Sequence, residues 1–169
     1  YRSQLRQAIE RTALVVGNPA TEGFGAAFPD PRNPERADPP PLPGAEAEAR
    51  AVAGALEPLG YRVSHAIGAD RRASDVLALL YAQPYRIVHI AAHGVFELPH
   101  RDGLHRSGVV LSDGLLITAA EIAAMEAVPE LVVLSCCHLG QIGAPGHGIT
   151  VRDGNRLAGT PSRAAIRGA

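Results

Sequence analysis

RIVHIAAHGVF, residues 86–96, and ELVVLSCCHLG, residues 130–140, share one plan: an apolar run stops at a histidine or a cysteine and then reaches a glycine. A short, nearly continuous apolar run bounded by turn residues reads as a strand buried on both faces, the kind found in parallel sheets covered by helices. Two further runs have the same character, ALVV at 13–16, closed by Gly-Asn-Pro, and the shorter YRVSHA at 61–66. Between them lie helical patterns. Residues 44–60 begin with acidic side chains, carry Ala51, Val52, Leu56 and Leu59 at helical spacing, and stop at Gly60. Residues 72–83 form a second amphipathic helix broken before Pro84, and a short third is expected over 119–127. Strands alternating with helices predict an α/β fold, a three-layer sandwich around a mainly parallel central sheet.

The connections are less regular. Residues 24–44 contain FPDPRNPERADPPPLPG, too rich in proline for a helix or a central strand, and are expected to form a long loop bordering a site. Residues 97–107 read as a histidine-rich loop, and GVVLSDGLLIT at 108–118 as a hairpin turning at Asp113-Gly114. After LVVLS at 131–135 no buried strand follows, so the sheet is expected to be incomplete at its C-terminal side and the chain to be a piece of a longer polypeptide. Residues 1–169 are taken as a single domain, with 1–11 as a linker helix from an upstream region and 141–169 as a flexible or partial C-terminal part.

Composition narrows the function. The 169 residues are 46% hydrophobic and 20% charged with a formal net charge of -1, which argues against a nucleic-acid or anionic-membrane surface. No apolar stretch approaches the roughly 18 residues of a membrane helix, and Glu10 and Arg11 fall where a signal peptide needs an apolar core, so a cytoplasmic setting is expected. The two cysteines are neighbours, which strains a disulfide between them and favours reduced thiols. All 16 basic residues are arginine, so a P-loop lysine is excluded, and GNPATEGFG after the first strand lacks the spacing of a dinucleotide-binding loop.

In an open parallel sheet, ligands gather beyond the carboxyl ends of the strands. His93 and Cys137 both sit at such ends, 44 residues apart, a distance that a hairpin and a helix fill as a crossover between neighbouring parallel strands. An imidazole beside a thiol lowers the thiol pKa from near ~8.5 or takes its proton as attack begins, and afterwards protonates a leaving amine. Gly94 brings its N–H close to a substrate carbonyl, and the N–H of Cys137 is a second oxyanion donor.

Four segments, LPGAEAEARAVAGAL, RIVHIAAHGVF, SGVVLSDGLLITAAEIAAM and LVVLSCCHLG, occur in this order, together with VVGNP after the first strand. Over about residues 12–140 the sequence resembles the CHAT-domain family, a branch of the caspase-like cysteine peptidases. The resemblance implies a caspase-like sandwich and a cysteine endopeptidase with a Cys-His dyad, free of metal and cofactor, acting on a protein or peptide substrate. It further implies regulation by another domain or a partner within a larger bacterial protein. The family's His-x-x-x-His-Gly segment places the catalytic histidine at His93 and leaves His89 a structural hydrogen-bonding role. Its nucleophile falls on Cys137, and Cys136 replaces a small alanine and is expected on the opposite side of the strand end. The substrate pocket is expected to draw on Asn18, Glu22 and Ser135, with Glu22 or Asp30 as attractors of a basic side chain.

Other readings remain open at this stage: a catalytically inactive interaction module on the same fold, a zinc site built from Cys136, Cys137, His138 and His93, His100 or His105, and a nucleotide-binding α/β domain.

Overall fold

A computed structural model describes residues 10–29, 37–100 and 102–136. The linker helix expected at 1–11 falls almost wholly outside these residues, as do Asp30, Cys137, His138 and the C-terminal part at 141–169. Four parallel strands form the central sheet: β1 (Thr12–Gly17), β2 (Arg62–Ile67), β3 (Ile87–Ala92) and, in chain order after the hairpin strands below, β7 (Leu131–Cys136). Their spatial order is β2-β1-β3-β7. Every residue of β1 is buried, which is why its sequence runs apolar without alternation.

Helix α2 (Pro43–Leu56) covers one face of this sheet. Its Ala49 and Ala53 pack with Val15 and Ile67, and Val52, Leu56 and Val63 close the edges. Small residues line this helix because it lies close to β1. A methyl group added at Gly17 would overlap the Ala49 side chain and crowd the Ala45 carbonyl. Gly17→Ala is expected to lower stability by about 1–3 kcal/mol, the usual cost of overpacking. Denaturant unfolding checks this, and Ala49→Gly in the same chain should recover part of the loss. The chain leaves α2 through a 3-10 turn, Glu57–Leu59, and reverses at Gly60, whose φ of 80° suits glycine.

The opposite face carries α3 (Ala73–Leu80) and α4 (Ala119–Ala123). Val76 and Leu80 pack against Leu14, Val16, Val88, Ile90 and Ala92, and Val132, Cys136, Ile122 and Met125 join the same cluster. Asp75 accepts the Arg72 backbone N–H at 3.0 Å and Ser112 Oγ accepts that of Ala73 at 2.9 Å, so the start of α3 is capped from two directions. Thr118 and Glu121 form a capping box at the start of α4. The three layers expected from the sequence are present.

Two elements differ from the sequence expectations. Residues 97–107 do not form a simple loop. β4 (Gly94–Pro99) pairs with β5 (His105–Val110), and β6 (Leu116–Ile117) adds a third antiparallel strand after the turn at 112–114. The expected 108–118 hairpin is therefore the second half of a three-stranded sheet. Inside the proline-rich stretch, Phe24–Ala27 forms a single helical turn, α1, whose Phe24 stacks on Phe28 against Val110. No helix among the described residues is long and apolar enough to cross a membrane.

Candidate active site at the carboxyl ends of the strands

β3 and β7 are neighbours with Ala92 opposite Cys136, so they end at the same level of the sheet. His93 is the residue after β3, and Cys137, which lies outside the described residues, follows β7 in the sequence. Successive strand side chains alternate between faces. Ser135 reaches toward α2, whereas Cys136 packs into the cluster under α3 and α4, the role expected of the residue that replaces alanine.

The His93 imidazole is fixed by the proline-rich loop. Its Nε2 lies 2.7 Å from the Pro40 carbonyl oxygen. A carbonyl oxygen only accepts, so Nε2 carries the proton and donates, and in the neutral ring the lone pair sits on Nδ1. The His93 carbonyl accepts the Val110 N–H at 2.8 Å. With Gly94 opposite Val109, that bond marks the two as a non-hydrogen-bonded pair, and the Gly94 N–H faces away from β5.

The loop that supplies Pro40 is held residue by residue. Asp38 accepts the N–H groups of Gly23 at 3.0 Å and Gly25 at 2.8 Å, the Pro39 carbonyl accepts the Thr21 hydroxyl at 2.6 Å, and Asn18 Oδ1 accepts the Leu42 N–H at 2.7 Å. The hydrogen bonds from Gly25 and then Gly23 hold the Asp38 carboxyl below its usual value near 3.8. A depressed carboxyl stabilises the folded form above its unfolded pKa, and the contribution disappears as pH falls through the folded value. The stabilisation that this clasp gives is therefore present at neutral pH and fades as pH falls through and below the usual carboxylate range.

Asn18 is buried with a φ of 51°, a left-handed conformation that asparagine tolerates. Its amide donates to Glu46 Oε2 at 3.1 Å, so both polar ends join the start of α2 to the loop. Hydrogen bonds from Arg50 and then Asn18 hold the Glu46 carboxyl below its usual range. Glu22 stands apart from this group. It is exposed, pairs with Arg72 at 3.2 Å, and lines a cavity of about 250 Å³ with Thr21, Asp38, Pro41 and Ala69. Ser135 donates its hydroxyl to Glu48 Oε2 at 3.0 Å. The other Glu48 oxygen lies 3.2 Å from Nε2 of the buried His89, at an angle that misses a hydrogen bond.

The structure thus gathers His93, Gly94, the end of β7, Asn18 and Ser135 around the start of α2 and the 38–42 loop. Pro40, Asp38 and Glu48 are members the sequence did not announce. A backbone carbonyl leaves no signature in a sequence, and Glu48 reads as one more solvated acid in a helix rich in them. The usable signal was parity: His89 and Ser135 fall on the strand face toward which the alanine stripe of α2 must pack. Among the described residues no three metal-ligating side chains come together, and His100 sits beside Phe28 and Asp102 in the β4–β5 hairpin.

Comparison with known proteins gives one finding about the whole chain. A family model described as the CHAT domain matches residues 1–169. No curated protein matches the chain.

Proposed function

Because this chain belongs to the CHAT-domain family, which is related to the caspase-like cysteine peptidases, we propose that it is a cysteine endopeptidase in which His93 activates the thiol of Cys137. The observation that carries this reading is the pairing of Ala92 with Cys136, because it ends two adjacent parallel strands side by side immediately before those two residues.

In this reading His93 Nδ1 takes the thiol proton while Nε2 stays bound to the Pro40 carbonyl, which orients the ring and stabilises the imidazolium as it forms. The thiolate attacks the scissile carbonyl carbon. The N–H groups of Gly94 and Cys137 receive the developing oxyanion. His93 then returns the proton to the leaving amine, which departs and leaves an acyl-thioester on Cys137. Water, deprotonated by the same imidazole, attacks the thioester; the carbon–sulfur bond breaks, the acid departs, and the imidazolium returns its proton to the Cys137 sulfur.

A peptidyl thiol-reactive probe tests the reading: stoichiometric labelling at Cys137 that is lost in His93→Ala supports it. Labelling indifferent to His93, with no peptide cleaved, identifies an inactive module. Asp38→Ala frees the loop that carries Pro40 and is expected to lower kcat about tenfold to a hundredfold, the scale set by a displacement of roughly 1 Å. Thermal unfolding should change far less, and wild-type kcat in Asp38→Ala would remove the loop from the mechanism.

A further inference from the structure

His93 is held at two points. Its ring Nε2 meets the Pro40 carbonyl, and its own carbonyl accepts the Val110 N–H. The two holders belong to separate elements, the proline-rich loop and β5. The imidazole is therefore aligned only as well as those elements are set against each other.

Arg72 lies where they meet. Its two terminal nitrogens reach Glu22 Oε2 at 3.2 Å and Asp113 Oδ1 at 2.7 Å. Glu22 stands between Thr21 and Gly23, whose hydroxyl and N–H hold Pro39 and Asp38 of the proline-rich loop. Asp113 belongs to the turn between β5 and β6, and its N–H donates to the Glu22 carbonyl at 2.6 Å. The residues beside Arg72 tie the same two segments through their backbone. The Arg71 carbonyl accepts the Ala20 N–H at 2.8 Å, and the Ala73 N–H donates to Ser112 Oγ at 2.9 Å. The Ser112 hydroxyl in turn donates to Asp113 Oδ2 at 2.7 Å.

Stability does not account for an arginine here. Arg72 is the N-cap of α3, a position that favours serine, threonine, aspartate or asparagine, whose oxygens accept the unpaired N–H groups of the first turn. A guanidinium accepts nothing, and its charge sits at the positive end of the helix dipole. Arg72, Glu22 and Asp113 are all exposed, and exposed ion pairs add little to stability. What the side chain does supply is a rigid planar fork that fixes two carboxylates relative to each other, which a lysine cannot do.

We propose that Arg72 is a positioning residue for His93: by bridging Glu22 and Asp113 it locks the proline-rich loop to the β5–β6 turn, and so aligns the holder of the ring with the holder of the backbone. The effect on rate rests on the endopeptidase reading above; the alignment does not.

NMR of protein carrying isotope-labelled histidine reads the alignment without turnover. A ring N–H held by a carbonyl keeps a proton signal that exchange with water otherwise erases. The His93 Nε2–H signal, assigned by its absence from His93→Ala, is expected in the wild-type chain at neutral pH. Arg72→Met, which keeps the apolar stem and removes the fork, should exchange this proton at least about tenfold faster, and Arg72→Lys should fall between the two. With a peptide substrate, Arg72→Met should lower kcat about tenfold and leave KM within about twofold. Adding Glu22→Gln and Asp113→Asn to Arg72→Met should cost little more, because the three act as one unit. The proposal is overturned by a wild-type chain without the signal, by wild-type exchange in Arg72→Met, or by losses that add. An Arg72→Met chain that no longer folds overturns it too, since Arg72 would then be a structural residue. Faster exchange in Arg72→Met with no peptide cleaved by any preparation supports the Arg72 lock and sinks the peptidase. Cleavage that needs His93 and is indifferent to Arg72→Met does the reverse.

Discussion

Cys137→Ala is expected to abolish peptide cleavage, with a loss on the order of ten-thousandfold or more, because the other thiol, Cys136, packs into the cluster under α3 and α4. Cys136→Ala should keep the rate within about threefold. The contrast follows from strand alternation: Cys136 packs under α3 and α4 with Val88 and Val132, whereas Ser135 before it turns to α2. Trimming a half-buried thiol to a methyl should cost about 1 kcal/mol of stability. Rates on one peptide substrate, together with unfolding curves of both variants, check the pair. Loss of cleavage in Cys136→Ala with Cys137→Ala still active would move the nucleophile one residue earlier.

His93→Ala should lower kcat by roughly a hundredfold to ten-thousandfold, the range of a lost general acid-base group. A second measurement separates proton chemistry from a packing defect. In a Cys136→Ala background, the alkylation rate of Cys137 by iodoacetamide follows the thiolate fraction. With the imidazole present the thiolate persists to lower pH, and without it the profile should rise to that of an ordinary thiol near ~8.5. A pH profile unchanged by the substitution would mean that His93 does not touch the thiol, whatever the loss of rate.

The elements that the sequence made legible are those with one dominant force. β1 and β3 are apolar because both faces are covered, whereas β7, expected to be buried on both faces, leaves Leu131, Val133 and Leu134 exposed at the edge of the described sheet; α2 announces itself through its small-residue stripe and Gly60. β4 escaped because its register slips between Val95 and Leu98, where Glu97 takes a φ of 47°, so no period of two survives. α1 is one turn long and is set by Asp38, a residue from across the loop, which no local pattern encodes. The expected helix over 119–127 is present but ends at Ala123, after its capping box has supplied one good turn.

The site divides in the same way. His93 was readable because an imidazole at the end of a buried strand is chemically conspicuous. Its partner was not, since the Pro40 carbonyl is an atom every residue has, and only the folded loop selects it. Asn18 was expected in the substrate pocket; in the structure its side-chain oxygen accepts the Leu42 N–H and its amide donates to Glu46. A side chain that binds a ligand and one that ties a loop use the same atoms, and sequence alone does not tell which partner arrives.

Pro39, Pro40 and Pro41 give that loop a thermodynamic character of its own. An ordinary residue forfeits about 1–2 kcal/mol of conformational entropy when its backbone is fixed. A proline enters folding with φ already confined near −65°, so less is lost when the segment docks. Three in succession make a strut whose direction is largely decided before Asp38, Thr21 and Asn18 take hold of it. The carbonyl that meets His93 is thus presented by a stiff arm. Exposure of this segment to solvent does not imply play at the imidazole, because stiffness in the unfolded chain has done part of the positioning in advance.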